Sequence, residues 1–459
     1  MHLQRSAIKQ WFLLGGDAAI MYVSLYLALF LRHFDLPDVS TYIVHAKPFS
    51  FIFFLWIIIL FINGMYDLTK TQNSLKFIRT FFEGLIFCLL IAMGFFYFIP
   101  FYIIEPRTIL ILTVTLFGVT FLLWRTLVHT LITSRALRRR VLFIGARSEA
   151  YELINAISKS PSFGYEVTAI LDLDKAPPMS GSDGLHWLSS LEELKPYLKR
   201  ENISTIVVSP KPMYAEVVAR ELFETIFWYI EITDLVSFYE SILARIPVTA
   251  LNEMWFLENL QESQKKHYDT IKNLIDFVLA GVLGIVYAII FPFVVVAVFL
   301  DDRGPVFYTQ KRLGRHGREF QMYKFRTMTV EAERDGAQFA QSEDPRVTRV
   351  GRVLRKSRID ELPQVWNIFK GDMALIGPRP ERPEFVEHFS EVIPFYTVRH
   401  LVKPGLTGWA QINNPYYATV GENMLKLQYD LFYIKNRSIL LDARILLKTV
   451  NTVLRWMGI

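Results

Sequence analysis

The sequence predicts a membrane-anchored α/β protein. A four-helix transmembrane bundle is followed by a doubly wound α/β domain. A second α/β domain is held at the membrane by a re-entrant helix and interfacial amphipathic helices. Three observations carry this expectation. Of the 459 residues, 52% are hydrophobic and 15% aromatic, too many for a wholly soluble chain, yet 20% are charged, too many for one that lies entirely in lipid. The apolar residues gather into four runs near the N-terminus and one later run. Elsewhere strand and helix patterns alternate, which argues for parallel sheets.

Length and charge narrow the classes further. At about 100–200 residues per domain the chain holds two to four domains. The single cysteine, Cys88, lies in an apolar run, which excludes a disulfide framework and a cysteine-based zinc site and suits a cytosolic face. The formal charge is +6, and between Arg303 and Arg358 stand 14 Lys/Arg against 6 Asp/Glu. That excess suits a basic face beside anionic headgroups, a diphosphate-binding role, or both. No nucleic-acid partner is expected.

In the first domain, residues 1–135, the runs 12–31, 48–66, 84–104 and 108–133 each come near the roughly 20 residues that cross a bilayer core. Asp17 and Arg125 are the charged exceptions. The first run is too long and interrupted for a signal peptide, and no small-residue cleavage site follows it. Arg5 and Lys9 precede it. Lys70, Lys76 and Arg79 separate the second and third runs, and Arg135, Arg138, Arg139 and Arg140 follow the fourth. By the positive-inside bias both ends of the bundle then face the cytoplasm; Arg32 and Lys47 weigh against it.

Residues 136–250 read as strands at 141–144, 166–171, 203–208 and 230–236, with helices at 148–158, 190–199 and 215–228 and surface loops at 161–164 and 175–184. This is a Rossmann-like pattern. The turn after its first strand, Gly145-Ala146-Arg147-Ser148-Glu149-Ala150, has one glycine where the dinucleotide fingerprint needs three. A structural or regulatory role is therefore expected.

A polar linker, 251–272, leads to the membrane helix at 273–300, whose core 277–300 carries no charge. Four spans already return the chain to the cytoplasm, so a fifth crossing would carry residues 301–459 outside. Pro292 removes a backbone hydrogen bond and clashes with the preceding turn. A bend near 289–291 would leave arms of about 15 and 8 residues, each too short to cross, that enter and leave one leaflet. Lys265, Lys266 and Lys272 before it and Arg303, Lys311 and Arg312 after it suit two ends at one surface. At the far end Leu446, Val450, Val453, Leu454 and Met457 recur at helical spacing among Arg444, Lys448 and Arg455. They suit a basic amphipathic helix in the interface or, equally, a helix packed on the domain core.

Chemistry is expected from the domain 301–459. Pro363 is tolerated only in a first turn, so a helix through Val365, Trp366, Ile368 and Phe369 should start near Asp360. There the dipole favours ionised carboxylates and free amides can hold phosphate. Neighbours on a helix point about 100° apart, so of Asp360 and Glu361 one attacks or binds metal while the other orients a partner. Alone, they would be ordinary first-turn acids. Arg379 stands between two prolines, so its planar fork is pre-positioned for phosphate, and Arg355 is a second phosphate candidate. Lys403-Pro404-Gly405-Leu406-Thr407-Gly408 joins a cation to glycines that let backbone approach a ligand. No His/Cys ligand cluster is present. Mg²⁺ needs only one or two carboxylates plus substrate phosphates, so Asp360 is its expected protein ligand.

Six short runs occur in one order: Gln310-Lys311-Arg312-Leu313-Gly314, Tyr323-Lys324-Phe325-Arg326-Thr327-Met328, Asp360-Glu361-Leu362-Pro363-Gln364, Gly371-Asp372-Met373, Gly377-Pro378-Arg379-Pro380 and Lys403-Pro404-Gly405-Leu406-Thr407-Gly408-Trp409. From about Lys272 onward the chain resembles the monotopic phosphoglycosyl transferases, the bacterial polyprenyl-phosphate sugar-1-phosphate transferases. Its upstream layout resembles the family's long form. The resemblance implies that Asp360 attacks a UDP-sugar, best guessed as UDP-glucose, and releases UMP, and that undecaprenyl phosphate then takes the phospho-sugar. Glu361 would orient or assist the acceptor, Mg²⁺ would offset diphosphate charge, and Lys403, Gly405, Thr407 and Gly408 would lie near the nucleotide-sugar site. Implied partners are the UDP-sugar, undecaprenyl phosphate and inner-membrane lipid, with a homodimer left open. The domains would face the cytoplasm, and the product would start an exopolysaccharide or envelope glycan. Two rivals remain. A membrane-bound nucleotide-sugar dehydratase would need a Tyr-x-x-x-Lys pair in the sheet domain, whereas Tyr268 and Lys272 lie outside it. A non-catalytic scaffold would carry degraded motifs, and these are intact.

Overall fold

Among the described residues five helices are long and apolar enough to cross a membrane, and they stand in two compact units, Met1–Leu243 and Ala244–Ile459. The computed structural model describes residues 2–66, 75–99, 107–134, 138–145, 147–173, 185–209, 212–330, 332, 344–414 and 419–454. Lys70, Arg135, Ala146, the expected loop 175–184, the end of the expected third span at 100–104, and Arg455 and Met457 lie outside the described residues.

The first unit opens with α1 (His2–His33), α2 (Val39–Ile62), α3 (Leu75–Phe98) and α4 (Arg107–Thr133). Helix α2 starts before the expected 48 because Asp38 caps it, accepting from the Thr41 amide at 3.2 Å, and Pro48 sits inside the helix. The bundle core is aromatic: Phe49, Trp56, Phe81, Phe117 and Phe121 are fully buried, with Phe81 and Phe121 stacked at 4.4 Å. The two charged exceptions meet. Arg125 Nη2 lies 2.6 Å from Asp17 Oδ2, and neither side chain is more than 1% exposed. Away from water a lone charge is expensive, and pairing is what makes both tolerable.

Five parallel strands follow, β1 (Arg139–Ile144), β2 (Tyr165–Leu171), β3 (His186–Leu188), β4 (Thr205–Val208) and β5 (Glu231–Asp234), in the order β3-β2-β1-β4-β5. Successive strand residues face opposite sides. Val141, Phe143, Ile170 and Val207 pack on the layer of α5 (Ser148–Lys159) and α8 (Leu235–Leu243). Leu142, Ile144, Ala169 and Ile206 pack on the layer of α6 (Leu194–Arg200) and α7 (Pro212–Phe223). The sheet is doubly wound, as expected. Strand β3 and helix α8 were not foreseen, and the last strand stops at Asp234 instead of 236 because α8 begins there.

The second unit starts at Ala244. Ile246 N donates to Gln428 O at 3.1 Å, Trp409 Nε1 donates to Ala244 O at 2.8 Å, and Ile246 and Val248 are buried. After α9 (Glu253–Asn259) comes α10 (Lys266–Asp302), 37 residues long with Pro292 inside it. Helical hydrogen bonding continues past Pro292, so the bend expected near 289–291 falls within one helix and does not divide it into two. The proline leaves the Ala288 carbonyl without its helical donor, and packing on both sides of it holds the helix together. Near its start, Tyr268 Oη donates to Asp442 Oδ2 at 2.7 Å and Lys272 lies 3.3 Å from Asp442. Midway, Tyr287 and Phe291 pack against Phe325. Beyond the proline, Val294 and Val298 join Phe325 and Leu354 in one core. At its end Asp301 Oδ2 accepts from Val350 N at 2.9 Å and Asp302 pairs with Arg326.

Around α10 stand the hairpin β6 (Phe307–Leu313) with β7 (Glu319–Phe325), α11 (Arg349–Ser357), α12 (Val365–Lys370), and the parallel pair β8 (Ala374–Ile376) and β9 (Gly405–Thr407) with α13 (Pro383–Val392) between them. The chain closes with α14 (Trp409–Asn413), α15 (Val420–Asn436) and α16 (Ile439–Leu454). Of the two readings of the last helix, packing on the unit is seen: Ile445 is fully buried and Arg444 and Lys448 sit over the Trp409 ring.

Candidate active site

Asp360 and Glu361 do not open an α-helix. Arg358, with φ 60°, ends α11, residues Ile359–Gln364 form a 3-10 turn, and α12 starts only at Val365. The helix start expected near Asp360 is thus met in part: the segment is helical from Ile359, but as a 3-10 helix that passes into α12 at Val365. Pro363 is accommodated in the 3-10 turn, and α12 has six residues before Gly371 at φ 82° ends it. Side-chain charges surround both carboxylates.

Those charges treat the two acids differently. Both are buried, each 6% exposed. Glu361 Oε1 accepts from Lys324 Nζ at 3.0 Å and from Arg379 Nη2 at 3.0 Å, with Arg358 Nη1 at 3.7 Å. Burial alone would raise its pKa, but Lys324, Arg379 and Arg358 together hold it well below the usual range. Asp360 is pushed the other way, by burial first and then by the charge of Glu361, which Lys324, Arg358 and Arg355 only partly oppose. Among the described residues Asp360 Oδ1 is buried without a hydrogen-bond partner. One acid is clamped and one is free, as their divergent directions require.

Of the expected residues, Asp360, Glu361 and Arg379 come together. Arg355 joins them by charge, while its Nε donates to Thr327 Oγ1 at 2.9 Å. The Lys403–Gly408 run packs beside them, Gly405 N donating to Pro378 O at 2.8 Å. Lys403 Nζ donates to Asn273 Oδ1 on α10 at 3.3 Å, and the Thr407 hydroxyl lies 2.7 Å from that of Thr449 on α16. Its glycines serve backbone packing. A Cβ on Gly405 would stand 2.1 Å from Gly377 N, and one on Gly408 2.2 Å from Gly377 O. They bring β9 against the turn that carries Arg379. Pro292 belongs to α10.

Lys324 and Arg358 were missed as functional residues. Lys324 lies in the Tyr-Lys-Phe-Arg-Thr-Met run, on β7, whose strand pairing aims it across to the 3-10 turn; alternation along that strand was the available signal. Tyr268 and Lys272 are accounted for by Asp442, which bonds both, so they form no dehydratase pair.

A metal fits this geometry in one respect. The orphaned Asp360 oxygen is a hard donor, and among the described residues no group of three or more His, Cys, Asp or Glu is placed to enclose an ion. The protein would therefore supply Asp360, and substrate phosphates the remainder.

Comparison with known proteins bears on both units. The bacterial sugar transferase family matches residues 267–456, and a CoA-binding domain family matches residues 61–216. The UDP-N-acetylgalactosamine-undecaprenyl-phosphate N-acetylgalactosaminephosphotransferase of Aeromonas hydrophila is 48% identical over 42% of this chain and 45% of its own. Two proteins called UDP-glucose:undecaprenyl-phosphate glucose-1-phosphate transferase are also similar. That of Xanthomonas campestris is 32% identical over 69% of this chain and 66% of its own, and that of Klebsiella pneumoniae 30% identical over 68% and 67%. The chain thus spans under two thirds of the first two relatives. A solved Rex-family repressor with β-NADH matches at 13% identity and a TM-score of 0.21 over 35% of this chain, too slight a likeness to bear on the fold.

Proposed function

Because the chain belongs to the bacterial sugar transferase family, we propose that it transfers a sugar-1-phosphate from a UDP-sugar to undecaprenyl phosphate by way of a phospho-sugar on Asp360. The observation that carries this is the free, buried Asp360 oxygen beside a Glu361 clamped by Lys324 and Arg379. A carboxylate raised in pKa is a stronger base and a better nucleophile. It attacks the phosphorus that bears the sugar; an Asp360 O–P bond forms, the diphosphate bridge breaks, and UMP leaves with the bridging electrons. In the second half a phosphate oxygen of undecaprenyl phosphate attacks the same phosphorus. The Asp360 O–P bond breaks, and undecaprenyl-diphosphate sugar departs with the carboxylate restored.

Four cations, Lys324, Arg355, Arg358 and Arg379, surround two carboxylates, which leaves positive charge to attract a diphosphate. Arg379 is the fork best shaped to grip it. Glu361 holds Lys324 and Arg379 in place and faces the acceptor. Asp360 would hold Mg²⁺, which when bound would supply neutralising charge on the diphosphate. For the donor, UDP-glucose is the expectation from sequence, but the higher identity of the Aeromonas relative over this unit favours UDP-N-acetylgalactosamine.

The same reading includes the membrane. Both ends of α10 bond to one α/β unit, which supports an α10 that enters and leaves the same leaflet of the inner membrane, keeping the site on the cytoplasmic side with UDP-sugars. The deciding experiment incubates purified protein and undecaprenyl phosphate with UDP-glucose, UDP-galactose and UDP-N-acetylgalactosamine and measures UMP and lipid-linked sugar. Absence of both products from every donor overturns the proposal.

A further inference from the structure

Behind Arg379 lies a second group of charges that the reaction above does not use. The run Gly377-Pro378-Arg379-Pro380-Glu381 lies between β8 and α13, and its two prolines have no N–H to donate. Its carbonyls are nonetheless held one by one from different elements. Pro378 O accepts from Gly405 N at 2.8 Å and Glu381 O from Leu313 N at 3.0 Å. Pro380 O accepts from Arg312 Nη1 at 3.1 Å. Arg379 O accepts from Arg399 Nη2 at 2.9 Å.

Arg399 is 3% exposed and sits in the 3-10 turn Tyr396–Leu401. Its Nη2 also donates to Asp430 Oδ2 at 2.9 Å, and its Nη1 donates to the Tyr396 hydroxyl at 2.9 Å. Next to it the Glu381 carboxylate pairs with Lys426 and lies 3.9 Å from Arg399 and 3.7 Å from Arg312. Burial alone would raise Glu381; the three cations hold it at about 2. The network is therefore a charged, well-bonded clamp on the turn that carries Arg379. Arg379 and Arg399 line one small recess with Pro378 and Pro404.

We propose that Arg399 is a positioning residue for Arg379: its guanidinium holds the carbonyl of the residue whose own side chain pairs with Glu361, and so sets where the phosphate-gripping fork stands. The proposal deepens the transferase reading and rests on it for the role of Arg379. Of the four bonds to this turn, the one from Arg399 alone ends on Arg379 itself. It also comes from a fork that serves three acceptors at once. A lysine, a point charge without that planar geometry, keeps the charge and loses the fork.

The experiment uses the full chain in lipid nanodiscs. Arg399→Ala would leave buried Asp430 without its cation and endanger the fold, so Arg399→Lys is the test variant. It is made alone and in an Arg379→Lys background. With the best UDP-sugar donor, Arg399→Lys alone is expected to lower kcat/KM about 10²-fold, the scale of a misplacement near 1 Å. In the Arg379→Lys background the further loss should be under about 3-fold, because coupled residues are not additive. Equal losses in both backgrounds overturn the proposal. A substrate-free arm measures hydrogen exchange of the peptide 377–382. Faster exchange confined to that peptide is expected in Arg399→Lys, and unchanged exchange there, or acceleration across the whole unit, overturns the proposal. If wild-type protein turns over no donor, the transferase reading fails while the exchange arm still decides the role of Arg399.

Discussion

Asp360 and Glu361 are adjacent in the chain and opposite in state, and the difference lies in what each oxygen touches. Three cations reach Glu361, while Asp360 keeps one oxygen without a partner among the described residues. Replacing Asp360 by Asn should lower UMP release by about 10⁴-fold or more, the scale of losing a nucleophile, with membrane insertion and melting unchanged; near-normal turnover would exclude Asp360 as nucleophile. The pKa directions add a pH prediction. Asp360 is raised by burial and by the charge of Glu361, and attack needs its ionised form. The rate of UMP release should therefore fall, as pH is lowered, at a pH above the ordinary aspartate range. Glu361→Gln removes the negative neighbour and leaves Lys324 and Arg379 unpaired beside Asp360. Both changes favour its ionised form, so the acid limb of the single-turnover burst should move to lower pH, even with slower turnover. A limb that stays put or moves up would show that Asp360 does not govern it.

At the scale of elements, what was legible in the sequence is what side-chain pattern decides, and what was not is what packing decides. Four apolar runs and the alternating strands of the doubly wound sheet follow from periodicity and length, and the structure has them. Strand β3 is three residues long and carries no period to read. The 3-10 turn at Asp360 looks like a helix start in sequence because Pro363 forbids only later positions, and Gly371 stops α12 after six residues. The glycines of the 403–408 run show the same limit. A sequence reveals that a backbone approaches something closely, but not whether that is a ligand or Gly377. Gly405→Ala should therefore act on folding. A Cβ 2.1 Å from Gly377 N forces β8 and β9 apart, a cost of about 3 kcal/mol, or a melting temperature lower by roughly 6–12 °C. Gly421→Ala, in α15 with nothing within 4 Å of the added atom, is the control and should be neutral or slightly stabilising. Normal melting of Gly405→Ala with weakened UMP binding would restore the ligand role.

At the scale of the molecule, the boundary between the units has a direct consequence. A truncation beginning near 251 keeps every expected site residue, yet it removes Ile246 and Val248 from the core of the second unit and strips the partner from Trp409 Nε1. A chain beginning at Ala244 should fold in detergent and keep transferase activity within about 10-fold of the whole protein, whereas one beginning at Leu251 should melt lower; an inert but folded Ala244 chain would bring the first unit into the chemistry. The placement of α10 tests the remaining expectation. At 1.5 Å per residue, the 37 residues of α10 follow a path about 55 Å long, ample to cross if unbent. Length therefore does not decide the matter; the partners of its ends do. Tyr268 and Lys272 near its start bond to Asp442, and Asp301 and Asp302 at its end bond to Val350 and Arg326. A crossing helix would put those two sets of partners on opposite faces of a bilayer, with the hydrophilic residues between them drawn through hydrocarbon at prohibitive cost. A helix bent at Pro292, entering and returning within one leaflet, keeps all of them at one surface. Cysteines placed singly at the exposed positions His267 and Arg303, in a Cys88→Ala background, should both resist an impermeant thiol reagent on intact cells and both react after the membrane is opened. Labelling of the Arg303 position alone in intact cells would mean that α10 crosses, and the cytoplasmic placement of Asp360 would fall with it.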